Sequence, residues 1–203
     1  IDGYVIPKND EFFSEYSQKD RLKTISNFSG SAGIVKILKK KNYLFVDGRY
    51  TIQADKESGK IFNIVNYDKI VNCNLFKNLT LGVDPKIFTS QQINRYFGKH
   101  NKIKIIKENL IDQIYKEKSF FHKPFFSIED NIVGESYEVK LLKIKKYLNK
   151  NNSDLMFITA PENVAWLLNI RGFDNPNSPI PNCHLLIDKK NNPYLICEKK
   201  LSL

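Results

Sequence analysis

Apolar and polar positions along the first half of the chain follow two periods, one typical of strands and one typical of helices. Short apolar or alternating runs predict strands at 3–7, 33–38, 43–46, 61–67, 81–85 and 102–107. Apolar residues at helical spacing predict helices over 20–28, 50–58 and 89–98. The runs 33–38 and 43–46 are joined by a KKKN turn, which favours a hairpin. This alternation predicts an α/β fold with a mixed sheet.

The second half of the chain begins after an aromatic segment that is interrupted by proline. Residues 109–131 start with a short helical run and then lose any clear period, so their second half is predicted to be a linker. A long amphipathic helix follows Ser136. Its apolar stripe consists of Val139, Leu141, Leu142, Ile144 and Leu148. A strand at 154–159, a helix at 160–171 and a hairpin made of HLLID and NPYLI complete the predicted elements.

The order of elements in the second half weakly repeats that of the first half. In both halves a strand leads to a helix that ends near an asparagine, Asn27 or Asn169, and two strands joined by a Lys/Asn turn follow. The first copy continues into a further helix and more strands, whereas the second copy stops after its hairpin. We therefore expect an α/β domain at 1–118, a linker at 119–131 and a second, truncated domain of the same type at 132–203.

Length and composition indicate a folded protein. A chain of 203 residues with 41% hydrophobic residues can form two cores and lacks the signature of disorder. No apolar run reaches the roughly 18 residues of a membrane helix, and the N-terminus lacks the features of a secretory signal. We therefore expect a soluble, cytoplasmic protein. Cys73, Cys183 and Cys197 have no CxxC spacing, so reduced, buried thiols are expected rather than a zinc site or disulfides.

The formal net charge of +10 raises the question of nucleic-acid binding. Only four of the 32 basic residues are arginines, although the guanidinium group is favoured for contacts with phosphates and bases. The lysines are spread over several polar runs without the interleaved aromatic residues of an RNA-binding surface. The excess charge is therefore interpreted as solvated lysine, and neither a nucleic-acid partner nor a membrane partner is predicted.

Motifs for hydrolysis or phosphate binding are weak in this sequence. His100, His122 and His184 stand apart, and neither HExxH nor GxSxG occurs, so structural or solvent-exposed histidines are expected. The stretch GSAG at 30–33 could cradle an anion with its backbone N–H groups, but it leads into a strand where a phosphate loop would lead into a helix. Close chain packing is the expected reason for its glycines.

The stretch LFVDGRY at 44–50 combines the end of a strand with the start of a helix. Asp47 is placed to cap the helix, and Arg49 is placed at the carboxyl end of the sheet, where open α/β folds present binding residues. A cation at a helix N-terminus costs about 0.3–1 kcal/mol, so Arg49 needs a compensating partner. A local ion pair with Asp47 or another carboxylate is one hypothesis, and contact with a ligand is the other.

A family resemblance that covers essentially the whole chain is carried by six ordered motifs. They are DGYVIPKNDEFFSEY, NFSGSAGIVKI, LFVDGRYTIQADKE, LGVDPKIFTSQQ, ENLIDQIY and ITAPENVAWLLNIRG. Together they resemble the N-terminal part of Xaa-Pro aminopeptidases (aminopeptidase P) of the long three-domain form, which are creatinase/prolidase-like metallopeptidases. That form has two creatinase/prolidase-type N-terminal domains before a pita-bread catalytic domain, in agreement with the weak internal repeat.

The resemblance implies a cytoplasmic, homodimeric metallopeptidase that removes the N-terminal residue from peptides with proline in second position. Two metal ions, usually manganese, would be held by two Asp, one His and two Glu, and a metal-bridging water would attack the scissile carbonyl. The catalytic domain is expected beyond residue 203. We therefore expect no catalytic residue, metal ligand or cofactor in this segment, and no peptidase activity of the segment alone.

The resemblance implies a role for Arg49, because DGRY stands intact at 47–50 and the arginine of this family motif helps to bind the peptide substrate. Arg171 in WLLNIRG is expected to have a structural or interdomain role. In the intact enzyme this segment is expected to shape the substrate entrance and to contribute to dimerisation. The alternative function is that of a stand-alone, non-catalytic binding or assembly module with a creatinase-like fold.

Overall fold

The chain divides into two compact units, residues 1–119 and 120–203, which we call the first and the second unit. The computed structural model describes residues 1–14, 19–72, 76–115, 124–175 and 177–197. Within these ranges no helix is long and apolar enough to cross a membrane.

The first unit is built on a six-stranded mixed sheet, which confirms the predicted α/β class. Its strands are β1 Gly3–Pro7, β2 Gly33–Leu38, β3 Asn42–Val46, β4 Phe62–Asn66, β5 Thr80–Val83 and β6 Lys102–Ile105. Its α-helices are α1 Arg21–Ser26, α2 Thr51–Ser58, α3 Lys69–Asn72, α4 Ser90–Ile93 and α5 Leu110–Ile114. A 3-10 turn at Gly48–Tyr50 leads into α2, and a π-helical turn at Asn94–Gly98 follows α4.

The strand order of this sheet is β4-β3-β2-β1-β5-β6. Strand β2 is antiparallel to both β1 and β3, as the predicted hairpin requires, whereas the pairs β3 with β4, β1 with β5 and β5 with β6 are parallel. All strands other than β2 therefore run in one direction. Their C-terminal ends lie together at one edge of the sheet, which we call the carboxyl edge, beside the N-terminal end of β2.

Helices cover both faces of the first sheet. On one face α1, α2 and α5 contribute Leu22, Ala54 and Ile111 to a buried cluster. On the other face Ile87 and Phe97, from the β5 to β6 connection, belong to a second buried cluster. The connection β3-α2-β4 leads towards one outer strand of the sheet and β5-α4-β6 leads towards the other. Because both crossovers are right-handed, their helices lie on opposite faces. The direction of winding changes between them, at β1 and β2.

Asparagine ends two of the helices that the sequence predicts. The side chain of Asp20 caps α1 by accepting a hydrogen bond from the Lys23 N–H at 3.0 Å. Helix α1 ends at Asn27, with φ of 63°, and α7 Pro161–Leu168 ends at Asn169, with φ of 54°. Both helices end near the asparagines that the sequence indicated, and a few residues before the ends of the predicted ranges, because asparagine adopts the left-handed conformation that closes a helix.

Replacement of Asn27 with alanine is expected to lower the free energy of unfolding by about 1 kcal/mol, because alanine is strained in the left-handed region. Replacement with glycine is expected to change it by a few tenths of a kcal/mol at most. The Asn27 side chain is exposed, so lost packing contributes little to either value. Urea denaturation of the three proteins measures the difference. Equal midpoints for the alanine and glycine variants would contradict this account of the helix end.

The second unit contains a smaller sheet with helices on one face. Its elements are β7 Phe126–Ser127, α6 Tyr137–Lys150, β8 Leu155–Ile158, α7 Pro161–Leu168, β9 Ile170–Arg171, β10 His184–Asp188 and β11 Pro193–Ile196. Strands β11, β10 and β8 form an antiparallel sheet in that order, and β7 pairs with β9. Helices α6 and α7 pack on the three-stranded sheet through a cluster that includes Leu141, Val164 and Leu185.

Some short elements of the chain were not predicted. Residues 126–127, assigned to the linker from sequence, form β7 in the second unit, and neighbouring Phe125 packs against its buried cluster. A two-residue strand has no period to detect, and the four-residue helix α3 was missed for the same reason. Cys183 is buried, as expected, whereas Cys197 is only partly buried. The predictions for Cys73, His122 and residues 119–123 concern positions outside the described residues.

One face of the first sheet is buried beneath α3 and α4. The cross-strand row Val5, Lys36 and Tyr43 lies on this face, and none of the three is more than 8% exposed. The buried ammonium group of Lys36 lies 3.9 Å from the ring centroid of Phe76, a cation–π contact. Burial of this row shows that the sheet of the first unit is covered on both faces.

The second sheet repeats the topology of β3-β2-β1 but leaves the matching face open. Its order β11-β10-β8 has the same antiparallel pairings, and the row Phe157, Leu186 and Tyr194 takes the place of the buried row of the first sheet. Phe157 is 55% exposed and Tyr194 is 50% exposed. Helices α6 and α7 lie on the opposite face. We call this surface the open face; its apolar members are Leu155, Phe157, Leu186, Tyr194 and Ile196, and His184 and Asp188 of β10 lie on the same face.

Candidate functional site

Arg49 lies at the carboxyl edge of the first sheet, one turn beyond the end of β3. Val46 is the last residue of β3, and the 3-10 turn Gly48–Tyr50 connects it to α2. Asp47 caps this turn, as predicted, because its Oδ1 accepts a hydrogen bond from the Arg49 N–H at 2.8 Å. The strand and the cap fix the backbone of Arg49, while its side chain is 74% exposed and extends into solvent.

The guanidinium group of Arg49 forms the local ion pair that was one of the two hypotheses from sequence. Its Nε lies 3.0 Å from Asp47 Oδ1, and its Nη2 lies 2.8 Å from Asp47 Oδ2. The hydrogen bonds from the Arg49 side chain and backbone lower the pKa of Asp47 below its ordinary value of 3.8. The carboxylate therefore offsets the unfavourable placement of a cation near the start of α2. The pair is exposed to solvent, so a stronger anionic partner can displace it.

Tyr50 links the DGRY turn to the GSAG loop. Its hydroxyl lies 2.8 Å from Ser31 Oγ, and its ring packs edge-on against Phe28 with centroids 5.8 Å apart. The Arg49 guanidinium lies 5.4 Å from the centroid of the Tyr50 ring. A Cβ on Gly30 would lie 2.2 Å from the Phe28 ring, so close packing accounts for this glycine, as expected. Tyr50 thus holds the two loops together at the carboxyl edge.

Metal and acid–base groups do not cluster in the described ranges. No group of three or more His, Cys, Asp or Glu side chains there could hold a metal ion. The Nδ1 of His184 lies 2.9 Å from the Thr159 carbonyl oxygen, and the backbone carbonyl of His100 accepts a hydrogen bond from Asn78. Both histidines therefore make structural contacts, and the described residues offer no fitting site for the metal pair that the family resemblance implies.

The second arginine of interest, Arg171, is bound to backbone carbonyls. Its Nη1 donates to the Ile170 carbonyl at 2.8 Å and to the Ala165 carbonyl at 3.3 Å. A cation beside the last carbonyls of a helix is favourable, because it interacts with the negative end of the helix dipole. These contacts support a structural role for Arg171 at the end of α7.

A buried ion-pair network around Arg21 was not predicted from the sequence. Arg21 is 4% exposed, and its Nε and Nη2 each lie 2.7 Å from a carboxylate oxygen of Asp112. Its Nη2 also lies 2.6 Å from Glu11 Oε1. This arginine therefore joins α1 to α5 and to the loop after β1. No local signal could have revealed the pair, because Asp112 is 91 residues away along the chain.

A family match covers less than half of the chain and lies mainly in the second unit. Residues 116–202 match the family described as Creatinase/Prolidase N-terminal domain. This range includes the described second unit, and the solved structure reported below extends the agreement to the first unit with its mixed sheet, so the predicted creatinase/prolidase-type fold is confirmed.

Two relatives show which proteins the whole chain is similar to. Xaa-Pro aminopeptidase 1 of Dictyostelium discoideum is 29% identical over an alignment of 233 residues. The alignment covers 100% of this chain and 36% of that protein. Aminopeptidase P1 of Lotus japonicus is 30% identical over 213 residues, which cover 98% of this chain and 32% of that protein. The chain thus spans about a third of the length of these relatives. It matches the N-terminal part of Xaa-Pro aminopeptidases, as the six motifs predicted.

A solved structure supports the same similarity. The X-prolyl aminopeptidase of Caenorhabditis elegans, described as a cytosolic enzyme with a di-nuclear active site, has a TM-score of 0.88 to this chain at 25% sequence identity. The match covers 100% of this chain and 36% of the chain of that enzyme.

Proposed function

We propose that the full-length protein is a metal-dependent Xaa-Pro aminopeptidase that removes the N-terminal residue from peptides with proline in second position. The observation that carries this proposal is the alignment of the whole chain with one end of such enzymes, together with the TM-score of 0.88 to one of them. By the same similarity we propose a cytoplasmic location and a homodimer. Two divalent metal ions, assigned as manganese from the family resemblance, belong to the part of the enzyme outside this chain.

Within that enzyme, this segment is the non-catalytic N-terminal region. We propose that it shapes access to the active site and contributes to dimerisation, with Arg49 as a residue that contacts the peptide. The position of Arg49 at the carboxyl edge and its high exposure support this role, because an exposed guanidinium group can exchange Asp47 for an anionic group of the peptide. The guanidinium fork is suited to a carboxylate or to peptide carbonyls.

We also propose that the second unit is the first half of a second domain of the same type. The support is the shared topology of β11-β10-β8 and β3-β2-β1, together with the exposure of the face whose counterpart is buried in the first unit. A contiguous apolar face on a sheet is costly in water, and the relatives continue well beyond the matched region. In this proposal, chain that follows the hairpin in the full-length enzyme covers the open face.

Replacement of Arg49 with alanine in the full-length enzyme is expected to lower kcat/KM for an Xaa-Pro peptide about 10- to 100-fold, because one or more charge-assisted contacts with the peptide are lost. Hydrolysis of a proline-containing tripeptide by the manganese-loaded enzyme measures this. Arg49→Lys is expected to recover part of the activity, since it keeps the charge but loses the fork.

Arg95→Ala is the matched control for this experiment. Arg95 is also an exposed arginine of the first unit beside a tyrosine ring, 5.9 Å from the Tyr96 centroid, but it lies outside the DGRY turn. Unchanged kcat/KM in Arg49→Ala, or an equal loss in Arg95→Ala, would exclude the role of Arg49. Absence of Xaa-Pro hydrolysis by the wild-type full-length protein would instead exclude the proposed enzyme and favour the binding or assembly module.

A further inference from the structure

A cleft of about 290 Å³ opens at the carboxyl edge of the first sheet, where β1 ends and β2 begins. This is the position between the two oppositely directed crossovers described above. In open α/β sheets the loops separate at such a switch point and leave a crevice that binds ligands. The volume is close to the lower end of the range for small-molecule sites, about 300–1,000 Å³. The cleft thus has both the place and the size of a binding site.

Four of the residues that line the cleft are aromatic. Phe13, Tyr67, Phe88 and Tyr96 line it, and the rings of Tyr67 and Tyr96 pack edge to face with centroids 6.1 Å apart. Aromatic side chains that line a cavity favour a ligand with an apolar or aromatic body.

Phe13 is held at the rim in an unfavourable backbone conformation. Its φ is 59°, in the left-handed region, which costs an aromatic residue roughly 1–2 kcal/mol. Buried Asp10 fixes the turn, since its Oδ1 accepts hydrogen bonds from the N–H groups of Phe12 and Ser14 and its carbonyl accepts one from Phe13. The Phe13 side chain is nevertheless 45% exposed, so this strain is not offset by burial of the ring in the core. Strain that a buried carboxylate maintains is typical of sites that position a side chain for function.

The polar groups of the cleft are suited to an anion. Among the described residues that line it, Lys8 is the one with a charged side chain, and none is acidic. Ser31 and Ala32 of the GSAG loop also line it, and within the described ranges their backbone N–H groups donate no hydrogen bond. Lys8 forms an ion pair with Asp20 and is 10% exposed, so its ammonium group is fixed in place. Two amide N–H groups that donate to no described residue thus line the same cleft as a fixed cation, and such donors suit a carboxylate.

We propose that this cleft binds a small organic carboxylate with an apolar or aromatic body, such as the C-terminal end of a short peptide or a free aryl-alkanoic acid. The carboxylate accepts hydrogen bonds from the Ser31 and Ala32 amides near Lys8, and the body lies among the rings of Phe13 and Phe88. The site is complete within the first unit and goes beyond the proposed peptidase function, because it requires no residue of a catalytic domain.

Calorimetric titration of the 203-residue chain with 3-phenylpropionate and with 3-phenylpropionamide tests this proposal, since the two probes differ only in the charged group. The acid is expected to bind at least about tenfold more tightly than the amide. A tripeptide that ends in phenylalanine is titrated as a third probe. Tighter binding of the tripeptide than of 3-phenylpropionate indicates a peptide C-terminus as the source of the carboxylate, and the reverse indicates a free acid. Equal affinity for acid and amide, or no heat from either at about 10 mM, would overturn the proposal.

Lys8→Gln is expected to reduce the preference for the acid at least about fivefold, because it removes the cation but keeps a donor for Asp20. Lys39→Gln is the matched control, since Lys39 also pairs with an aspartate, Asp2, but is 73% exposed and lies outside the cleft. Ala32→Leu, which narrows the cleft, is expected to weaken both probes. If Lys8→Gln and Lys39→Gln reduced the preference for the acid over the amide equally in folded proteins, general surface charge would explain that preference. This result would contradict the proposed carboxylate site.

Discussion

Replacement of the buried Arg21 with alanine is expected to lower the free energy of unfolding of the first unit by about 2–4 kcal/mol, because it breaks a buried ion-pair network. The substitution removes every hydrogen bond from the buried guanidinium to Asp112 and Glu11. It leaves two carboxylates that are 43% and 30% exposed, and water can solvate them only in part. Hydrogen exchange of β1 and β2 amides measures the loss.

Acid is expected to reduce the difference between wild type and Arg21→Ala. Burial alone would raise the pKa of Glu11 and of Asp112, but the hydrogen bonds and charge of Arg21 outweigh burial and lower both below their ordinary values of 4.5 and 3.8. Carboxylates with a lowered pKa in the folded state stabilise it fully above those ordinary values, and this contribution is lost as the pH falls through the lowered values. A difference that stays constant from pH 7 to about pH 3 would contradict the ion-pair account. Arg21→Lys, which keeps the charge, is expected to lose about half as much stability.

Replacement of Phe157 with glutamate is expected to have opposite consequences in the 203-residue chain and in the full-length protein. In the shorter chain Phe157 is 55% exposed, so the free energy of unfolding should change by less than about 0.5 kcal/mol. In the full-length protein, where we propose that added chain covers the open face, a buried unpaired carboxylate should cost about 3 kcal/mol or more. Hydrogen exchange of the β8 and β10 amides in both proteins measures the two values.

Tyr147→Glu is the control for this comparison. Tyr147 lies on α6 of the same unit and is 56% exposed, which closely matches Phe157, but it is not part of the open face. Its replacement is expected to have a small effect in both proteins. If Phe157→Glu were equally mild in the full-length protein, the open face would remain uncovered there, and the proposed second half of the domain would have to be placed elsewhere.

The candidate site was predictable from sequence only in part. The position of Arg49 followed from the strand, the Asp-Gly turn and the helix that succeed one another at 44–58, all of which are local features. The side-chain geometry added that Arg49 pairs with Asp47 while remaining 74% exposed, a choice between two partners that the sequence left open. The link from Tyr50 to Ser31 could not be predicted, because it depends on the pairing of β2 with β3.

The glycines and asparagines show the same division between local and distant causes. The end of α1 at Asn27 depends on the conformational preference of a single residue, so sequence could place it to within a few positions. The close approach of Gly30 to Phe28 was expected only in general terms, and its partner became clear from the fold. The GSAG stretch gave a weak signal for anion binding, but the cleft beside it could not be predicted, because its walls come from the loop after β1, the start of β2, residues that follow β4 and β5, and α4 with the turn after it.

By itself, the sequence of this protein determined most of the strands and helices, several helix caps, the α/β class and the weak internal repeat, because periodicity and capping act over a few neighbouring residues. The six ordered motifs also determined the family resemblance. Only the tertiary structure decided the strand order, the ion pairs of Arg21 with Asp112 and Glu11, the open face of the second sheet and the cleft at the carboxyl edge. Each of these depends on contacts between residues far apart in the chain, and such contacts form only when the whole sheet assembles.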